Sequence, residues 1–253
     1  MSARIDVRDV SVAYAAPDGH ALHVLGPVSF ALEAGQFVCL VGPSGCGKST
    51  LIRLLAGLIA PTAGEASLDD QPIRQPSRRV ALMFQDANLM PWRTVIDNIA
   101  LPLELAGAAK AEREDAAQQL LPRLGLSEFA LAYPGELSGG MAQRVALGRV
   151  LIQHPDVLLL DEPFGALDAM TREQVSADLL YLWGAERQTV LMVTHDINEA
   201  VLLSDRVLVM SRRPGQVKAD LPVTLPRPRQ LSDTYSDEFG KIAQQVRANI
   251  ERI

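Results

Sequence analysis

The sequence predicts an α/β fold built around a mainly parallel sheet. Short runs rich in Val, Leu, Ile and Met recur along the chain, and segments with a helical pattern lie between them. Each run is too short to form a helix alone, and buried strands that alternate with helices are typical of parallel sheets. The chain has 253 residues, enough for one large domain or for one domain with an inserted subdomain.

The strands are predicted from two kinds of pattern. Over residues 5–14 apolar positions recur at alternate places, which is the period of a half-buried strand. The later runs are mostly apolar, which is typical of strands buried on both faces. The further predicted strands are 24–32, 36–41, 80–84, 157–160, 189–193 and 206–210.

The stretch 86–154 shows helical patterns, among them 111–124 and 141–153, and no strand pattern. We therefore predict a helical subdomain inserted into the α/β core. The tail from residue 222 is rich in Pro and Arg and then becomes polar and helical over 237–252. We expect the main domain to cover residues 1–225 and a short helical tail to cover 226–253.

The composition argues against some functions. The net charge of −6 disfavours a protein that coats nucleic acid, because such proteins carry a basic stripe. We interpret the small basic clusters at 78–79, 212–213 and 227–229 as solvated surface. No apolar run approaches the ~20 residues that a membrane-spanning helix needs. Cys39 and Cys46 are interpreted as free thiols.

A Gly-rich loop (residues 42–49) follows the strand at 36–41. It reads Gly-Pro-Ser-Gly-Cys-Gly-Lys-Ser and matches the pattern G-x-x-x-x-G-K-[ST] at every fixed position. Glycines let backbone N–H groups point inward around an anion, and the helix predicted over 50–57 adds its positive dipole end. We expect Lys48 to reach the β- and γ-phosphates of a nucleotide and Ser49 to bind Mg²⁺. A chance Gly-rich turn is disfavoured because a strand leads in and a helix leads out.

An acidic pair is predicted to complete this site. Four apolar residues lead to Asp161 and Glu162, so both carboxylates should lie at the carboxyl end of a strand, where parallel sheets bind ligands. Asp161 is predicted to associate with Mg²⁺, and Glu162 to polarise the attacking water as a general base. The alternative is a surface turn before Pro163.

A second helix N-terminus suited to phosphate is predicted at residues 137–140. Ser138 can cap the helix that begins near Met141, and Gly139 and Gly140 let an anion approach the backbone closely. The chain thus has two such N-termini, one with a lysine and one without.

These motifs resemble the ATP-binding subunits of ABC transporters over residues 3–225, and they occur in the expected order. The resemblance implies a P-loop NTPase core with an N-terminal antiparallel β-subdomain and an inserted helical subdomain. It also implies that two copies of the chain associate head to tail with two ATP molecules between them. The signature motif of one copy would then bind the γ-phosphate held by the other.

The resemblance assigns a role to each motif residue. Gln85 looks like the Q-loop glutamine that touches Mg²⁺ and faces the membrane subunit, and His195 looks like the switch histidine that senses the γ-phosphate. Asp168 looks like the D-loop aspartate that crosses to the partner, and Tyr14 like the aromatic residue that stacks on adenine. The implied ATP-binding residues are Tyr14, Gly42, Pro43, Ser44, Gly45, Cys46, Gly47, Lys48, Ser49 and Thr50. The implied catalytic residues are Glu162, His195, Gln85 and Lys48, the metal-associated residues are Ser49, Gln85 and Asp161, and the signature residues are Leu137, Ser138, Gly139, Gly140 and Met141.

Taken singly, some of these residues have other readings. Gln85 alone could be an exposed loop amide, and Tyr14 alone an ordinary strand aromatic. His195 alone could simply precede a helix cap at Asp196. The order and spacing of the whole set favour the functional roles.

Details of the motifs resemble one branch of the family. The signature ends in Met141 where Gln is commonest, and a thioether is a weak acceptor and no donor. Together with the segments 89–98 and 164–172, this signature is similar to the motifs of the ATPases that power import of nitrate, sulfonates and taurine. The branch implies integral-membrane permease partners, a periplasmic or lipid-anchored substrate-binding protein, and a peripheral location on the cytoplasmic face of the inner membrane. Trp92 either lines the groove that receives a coupling helix or is a core aromatic of the helical subdomain.

A different function class is an ABC ATPase that acts on nucleic acid or ribosomes without a permease. The spacing between Lys48 and Asp161 leaves room for a helical subdomain but not for long coiled coils. The single Gly-rich loop of this type and the acidic net charge also disfavour this class. We therefore expect no nucleic-acid partner.

Overall fold

The computed structural model describes residues 2–15 and 20–252, so Met1 and Ile253, the outer bounds of the predicted domain and tail, lie outside the described residues. The strands in this part of the chain are β1 (Ile5–Ala15), β2 (Ala21–Leu32), β3 (Phe37–Val41), β4 (Ala63–Leu68), β5 (Gln71–Pro72), β6 (Val80–Met83), β7 (Val157–Asp161), β8 (Thr189–Val193), β9 (Arg206–Met210) and β10 (Val217–Pro222). The helices are α1 (Lys48–Leu55), α2 (Val95–Leu105), α3 (Lys110–Leu120), α4 (Gly139–Leu151), α5 (Ala169–Glu186), α6 (Ile197–Leu203) and α7 (Asp237–Glu251). None of these helices is both long enough and apolar enough to cross a membrane.

A six-stranded sheet in the order β10-β9-β3-β8-β7-β6 forms the centre of the fold. Its strands run parallel except for β10, which pairs with β9 in the antiparallel direction at one edge. β3, β7 and β8 are buried along their whole length, as expected for strands covered on both faces. The predicted α/β fold is confirmed. It brings the segments after β3, β7 and β8 to one edge of the sheet, where such folds bind ligands.

A smaller antiparallel sheet in the order β2-β1-β4-β5 covers one face of the larger sheet. Buried side chains of β1 and β2, such as Ile5 and Leu25, share a core with Leu51 of α1 and with Leu40 and Leu159 of the larger sheet. β4 is absent from the predicted strands because its first half is exposed and carries no apolar pattern.

Between β6 and β7 the described chain contains helices and no strand, as predicted for residues 86–154. α3 ends at Leu120 rather than at 124, because Pro122 has no amide hydrogen with which to continue the helix. α4 begins at Gly139 rather than at 141, because Ser138 caps it. The treatment of this segment as a subdomain, like the boundary at residue 225, stays a prediction.

The C-terminal tail packs on its own chain, where α7 contacts α6 and β9. The prediction that residues 227–229 are solvated surface is wrong, because Arg229 is 7% exposed. Its guanidinium donates to the carbonyl oxygens of Val201 and Leu202 near the end of α6. Burial lowers the pKa of Arg229 to about 10, and the charge of Arg227 acts in the same direction. The tail thus satisfies carbonyl groups that α6 leaves without an intrahelical partner.

Candidate functional site

The Gly-rich loop leads from β3 directly into α1, and glycine shapes its backbone. Gly47 is the N-cap of α1 with φ 107°, in the left-handed region that favours glycine. A Cβ atom here would lie 2.6 Å from the Cδ2 atom of Leu25, so a larger residue would force a shift. The loop borders a cavity of about 200 Å³. The residues around this cavity are Val24, Ser44, Gly45, Gly47, Lys48, Ser49, Thr50, Glu162 and Arg213.

Lys48 places a positive charge at this cavity. It is 6% exposed, and its Nζ atom donates to the carbonyl oxygens of Gly42 at 2.8 Å and of Pro43 at 3.0 Å. These carbonyls satisfy two N–H donors of the ammonium but do not neutralise its charge. Since α1 also begins at Lys48, the helix dipole and the ammonium both favour an anion in the cavity.

Ser49 and Asp161 bring two of the predicted motifs into contact. The Oγ atom of Ser49 on α1 donates to the Oδ1 atom of Asp161 at the end of β7, at 3.0 Å. Burial raises the pKa of Asp161 and the charge of Glu162 raises it further, whereas the hydrogen bond from Ser49 lowers it. A hydroxyl and a carboxylate oxygen at this separation fit Mg²⁺, which prefers oxygen ligands and retains several waters.

Glu162 and His195 lie together at the same edge of the sheet. Glu162 has φ 47° and donates its backbone N–H to the carbonyl oxygen of Val193, at the end of β8, at 3.0 Å. Its Oε2 atom lies 3.2 Å from the Nδ1 atom of His195. Glu162 lines the cavity, and the side chain of His195 is 54% exposed. A carboxylate placed beside an anion-binding cavity is suited to accept a proton from water.

Gln85 follows β6 with an exposed side chain, and its backbone is held by α4. Its carbonyl oxygen accepts a hydrogen bond from the Nε2 atom of Gln143 at 2.9 Å. Arg149, also on α4, donates to the carbonyl oxygen of Asn88 at 2.9 Å, and burial lowers the pKa of Arg149. This link between α4 and the segment after β6 was not predicted from the sequence. The signal for it was Gln143, the polar residue among the otherwise apolar or glycine positions that α4 buries.

Two of the predicted signature residues, Ser138 and Gly139, and Asp168 of the predicted D-loop are exposed near helix N-termini, whereas Gly140 of the signature is buried. Ser138 caps α4 as predicted, and its Oγ atom accepts from the backbone N–H of Met141 at 3.3 Å. Asp168 caps α5 by accepting from the N–H of Thr171 at 3.1 Å, and hydrogen bonds from Thr171 lower the pKa of Asp168. Neither motif is among the described residues around the cavity. One chain therefore offers its cavity only one of the two predicted phosphate-binding N-termini.

Arg172 on α5 links two loops of the site, a role that the sequence analysis did not assign. It donates to the carbonyl oxygens of Phe164 at 3.3 Å and of Leu167 at 2.8 Å, in the loop after β7. Its Nη1 atom lies 3.3 Å from the Oδ2 atom of Asp196, the residue after His195. The loop after β7 and the loop after β8 are thus held by one side chain.

The structure also decides some of the remaining expectations. Trp92 is 72% exposed, which excludes the alternative that it is a core aromatic. Cys39 and Cys46 are free and buried, so Cys46 offers its backbone rather than its thiol to a ligand of the Gly-rich loop. Tyr14 lies on β1 opposite Leu22 and is 45% exposed, but it is not among the described residues around the cavity. Its contact with adenine stays a prediction.

Comparison with known proteins gives consistent matches. Residues 25–165 match the family model described as ABC transporter. The taurine import ATP-binding protein TauB of Rhizobium johnstonii is 43% identical over 251 residues, which are 96% of this chain and 95% of that protein. The nitrate import ATP-binding protein NrtD of Synechocystis sp. is 44% identical over 248 residues, which are 96% of this chain and 93% of that protein.

The fold agrees with a solved structure. The dimeric post-hydrolysis state of the ATP-binding cassette MJ0796 bound to ADP and Pi matches with a TM-score of 0.77 and 31% sequence identity. The match covers 88% of this chain and all of that one, and it confirms the predicted P-loop NTPase fold. Because the family model spans more than half of the chain and both relatives align over nearly all of it, the chain belongs to the ATP-binding proteins of the ABC transporter family.

Proposed function

We propose that the chain is the ATP-hydrolysing subunit of an ABC importer. The observation that carries the proposal is the convergence of Lys48 and Ser49, after β3, with Asp161 and Glu162, at and just after the end of β7. The taurine and nitrate import proteins align over nearly the whole chain. They support import of a small solute resembling nitrate, a sulfonate or taurine.

ATP binds at the Gly-rich loop. The backbone N–H groups of residues 44–47 and the ammonium of Lys48 hold its phosphates, and the N-terminus of α1 adds favourable dipole charge. Ser49 and Asp161, together with Gln85, are the residues that would hold Mg²⁺. When bound, the ion neutralises charge on the phosphate oxygens. Tyr14 is the residue proposed to stack on adenine.

Glu162 is the general base of hydrolysis. Its carboxylate takes a proton from water while the water oxygen attacks the γ-phosphorus, and the bond from that phosphorus to the leaving oxygen of ADP breaks. His195, 3.2 Å away, orients the carboxylate. Lys48 and the helix N-terminus oppose the charge that develops on the transferring group.

The functional unit is a head-to-tail dimer of this chain. Ser138 and Gly139 are exposed at the N-terminus of α4, as is Asp168 at that of α5. In the dimer, the signature residues 137–141 complete the phosphate site of the other copy. The N-terminus of α4, the second predicted phosphate-binding N-terminus, then contacts the phosphate bound by the other copy. Within a single chain it lies away from the cavity.

A groove between β6, α2 and α4 is the proposed docking site for the permease. It has a volume of about 560 Å³, and its lining includes Phe84, Leu101, Leu105 and Arg149. Phe84 is 42% and Leu105 is 79% exposed. An apolar groove with partly exposed walls fits an amphipathic helix of a membrane subunit. Since α4 holds the backbone after β6, movement of α4 would reach Gln85 and the groove together.

The same proposal includes the wider assembly. The chain lies on the cytoplasmic face of the inner membrane through its permease, and a substrate-binding protein delivers the solute to the permease from outside. We propose residues 1–225 as the ATPase domain, with residues 86–154 as its helical subdomain, and 226–253 as the tail. The net charge of −6 favours this assembly over one on nucleic acid.

The nucleotide part of the proposal is tested with Lys48→Ala. Loss of the buried ammonium should weaken ATP binding at least ~10-fold and abolish turnover, because Lys48 is the one lysine among the described residues around the cavity. Titration calorimetry and a phosphate-release assay measure the two effects. Unaltered ATPase kinetics would refute the role of the Gly-rich loop.

The permease part is tested by membrane fractionation of cells with and without the candidate permease genes. The chain should sediment with membranes only when the permease is present. Leu105→Glu should abolish this, because a charge in the groove opposes burial against an apolar helix. Tyr181→Glu, at a position 76% exposed on α5, is the matched control and should still sediment. Sedimentation of the Leu105→Glu protein would exclude the groove as the docking site.

A further inference from the structure

We infer that Arg213 is a further residue of the nucleotide site. Its side chain holds the Gly-rich loop and adds a second positive charge for the polyphosphate of a nucleoside di- or triphosphate. The inference rests on the proposed binding of ATP at this loop. The sequence alone predicts solvated surface for the basic pair 212–213. Arg213 is exposed, but it lines the cavity.

The side chain of Arg213 is hydrogen-bonded directly to the Gly-rich loop. Its Nε and Nη2 atoms donate to the carbonyl oxygen of Gly45 at 3.2 and 3.0 Å. A carbonyl held from outside the loop leaves the neighbouring N–H groups free to face the cavity, where anion-binding loops need them. Both donors converge on one oxygen, which leaves the two N–H groups of Nη1 and the second N–H of Nη2 for a ligand.

The position of Arg213 is set by the hairpin between β9 and β10. In this hairpin Gly215 donates its N–H to the carbonyl oxygen of Val24 at 2.9 Å, and its own carbonyl accepts from Gly26 at 3.0 Å. A Cβ atom on Gly215 would lie 2.1 Å from the carbonyl oxygen of Cys46, so the hairpin backbone packs directly against the Gly-rich loop. The hairpin therefore has two independent contacts with the loop, one through Gly215 and one through Arg213.

The charge of Arg213 is available to an anion. Among the ion pairs within residues 2–15 and 20–252, none involves Arg213. Its only polar contact there is the carbonyl of Gly45, which carries no formal charge. Lys48 and Arg213 thus present two cations without an ion-pair partner among the described residues, and Glu162 is the one carboxylate that the described lining of the cavity contains. Guanidinium groups bind phosphate oxygens through charge-assisted hydrogen bonds.

The test compares binding of ATP and of ADP to the full chain and to three variants of Arg213 by titration calorimetry. Arg213→Ala and Arg213→Gln should each raise Kd for both nucleotides by about 10-fold, and Arg213→Lys by about 3-fold, because lysine keeps the charge. The loss should shrink as salt rises from 50 to 500 mM, since salt screens an exposed charge.

Arg212→Ala is the matched control, since Arg212 is exposed on the same hairpin and is not among the described residues around the cavity. It should bind both nucleotides as the wild type does. If Arg213→Ala and Arg213→Gln bind within about 2-fold of wild type while Lys48→Ala loses binding, the inference is overturned and the proposed function stands. A wild-type chain that binds neither nucleotide would overturn both.

Discussion

The Nδ1 atom of His195 lies 3.2 Å from the Oε2 atom of Glu162, although the two residues follow different strands. β7 and β8 are neighbours in the larger sheet, with Asp161 paired to Val193, so their carboxyl ends place the two side chains next to each other, with Glu162 at the cavity. The contact gives His195 a way to act on the proposed general base without touching water itself. We therefore treat His195 as a positioning residue in the predictions below.

Replacement of His195 by Ala should reduce kcat and leave binding intact. Without the imidazole, the carboxylate of Glu162 keeps its charge but loses its orientation, so we expect kcat to fall roughly 10- to 100-fold with KM for ATP little changed. Steady-state phosphate release measures both constants. His154→Ala, at an exposed histidine before β7, is the control and should turn over normally. An unchanged kcat for His195→Ala would remove His195 from the mechanism.

Replacement of Arg172 by Ala should have a smaller effect of the same kind. The variant loses the hydrogen bonds to Phe164 and Leu167 and the ion pair with Asp196, so the loops after β7 and β8 are no longer tied together. We expect kcat to fall about 5-fold at constant KM, and the effect to be less than additive with His195→Ala. Strict additivity in this double-mutant cycle would show that Arg172 does not act through His195.

Glu199 on α6 makes the stability of the fold depend on pH. The pKa of Glu199 is raised to about 7, chiefly by burial and also by the charge of Asp196, although hydrogen bonds from Thr194 and Ser176 and the charge of Arg172 act in the opposite direction. A raised pKa means that the folded state binds more protons than the unfolded state between the ordinary value and about 7. The contribution of Glu199 to the free energy of unfolding is therefore fully present below the ordinary pKa and is lost as pH rises through 7.

Glu199→Gln removes this titration and serves as the test. The wild type and the variant should unfold at similar urea concentrations near pH 5, and the wild type should become less stable than the variant by roughly 2 kcal/mol near pH 8.5. Urea unfolding at several pH values measures the difference. A difference that stays constant across this range would show that Glu199 does not titrate between these pH values in the folded protein.

Local sequence patterns predicted the parallel strands of the larger sheet and the residues after them. These strands are continuous apolar runs, and a parallel sheet places their carboxyl ends together whatever the connecting helices do. β4 and β10 were missed, because β4 is half exposed and β10 contains Lys218, Asp220 and Pro222, which are poor strand formers.

The supporting contacts of the site could not be predicted in the same way. These contacts join residues that are far apart in sequence, namely Gln143 with Gln85, Arg172 with Asp196, and Arg213 with the Gly-rich loop. Which polar side chain meets which carbonyl oxygen depends on the packing of whole elements, and no local period encodes it. The motifs therefore identified the groups that do the chemistry, and the structure was needed to find the groups that hold them.

The most direct test of the proposed mechanism measures ATP binding and ATP hydrolysis of Glu162→Gln side by side. Glutamine keeps the shape of the side chain but cannot accept the proton, so ATP should bind with a Kd within about 3-fold of wild type while kcat falls at least ~100-fold. Because hydrolysis then no longer separates the two copies, the variant with ATP should also elute as a dimer on gel filtration. Turnover near the wild-type rate would contradict the assignment of Glu162 as the general base.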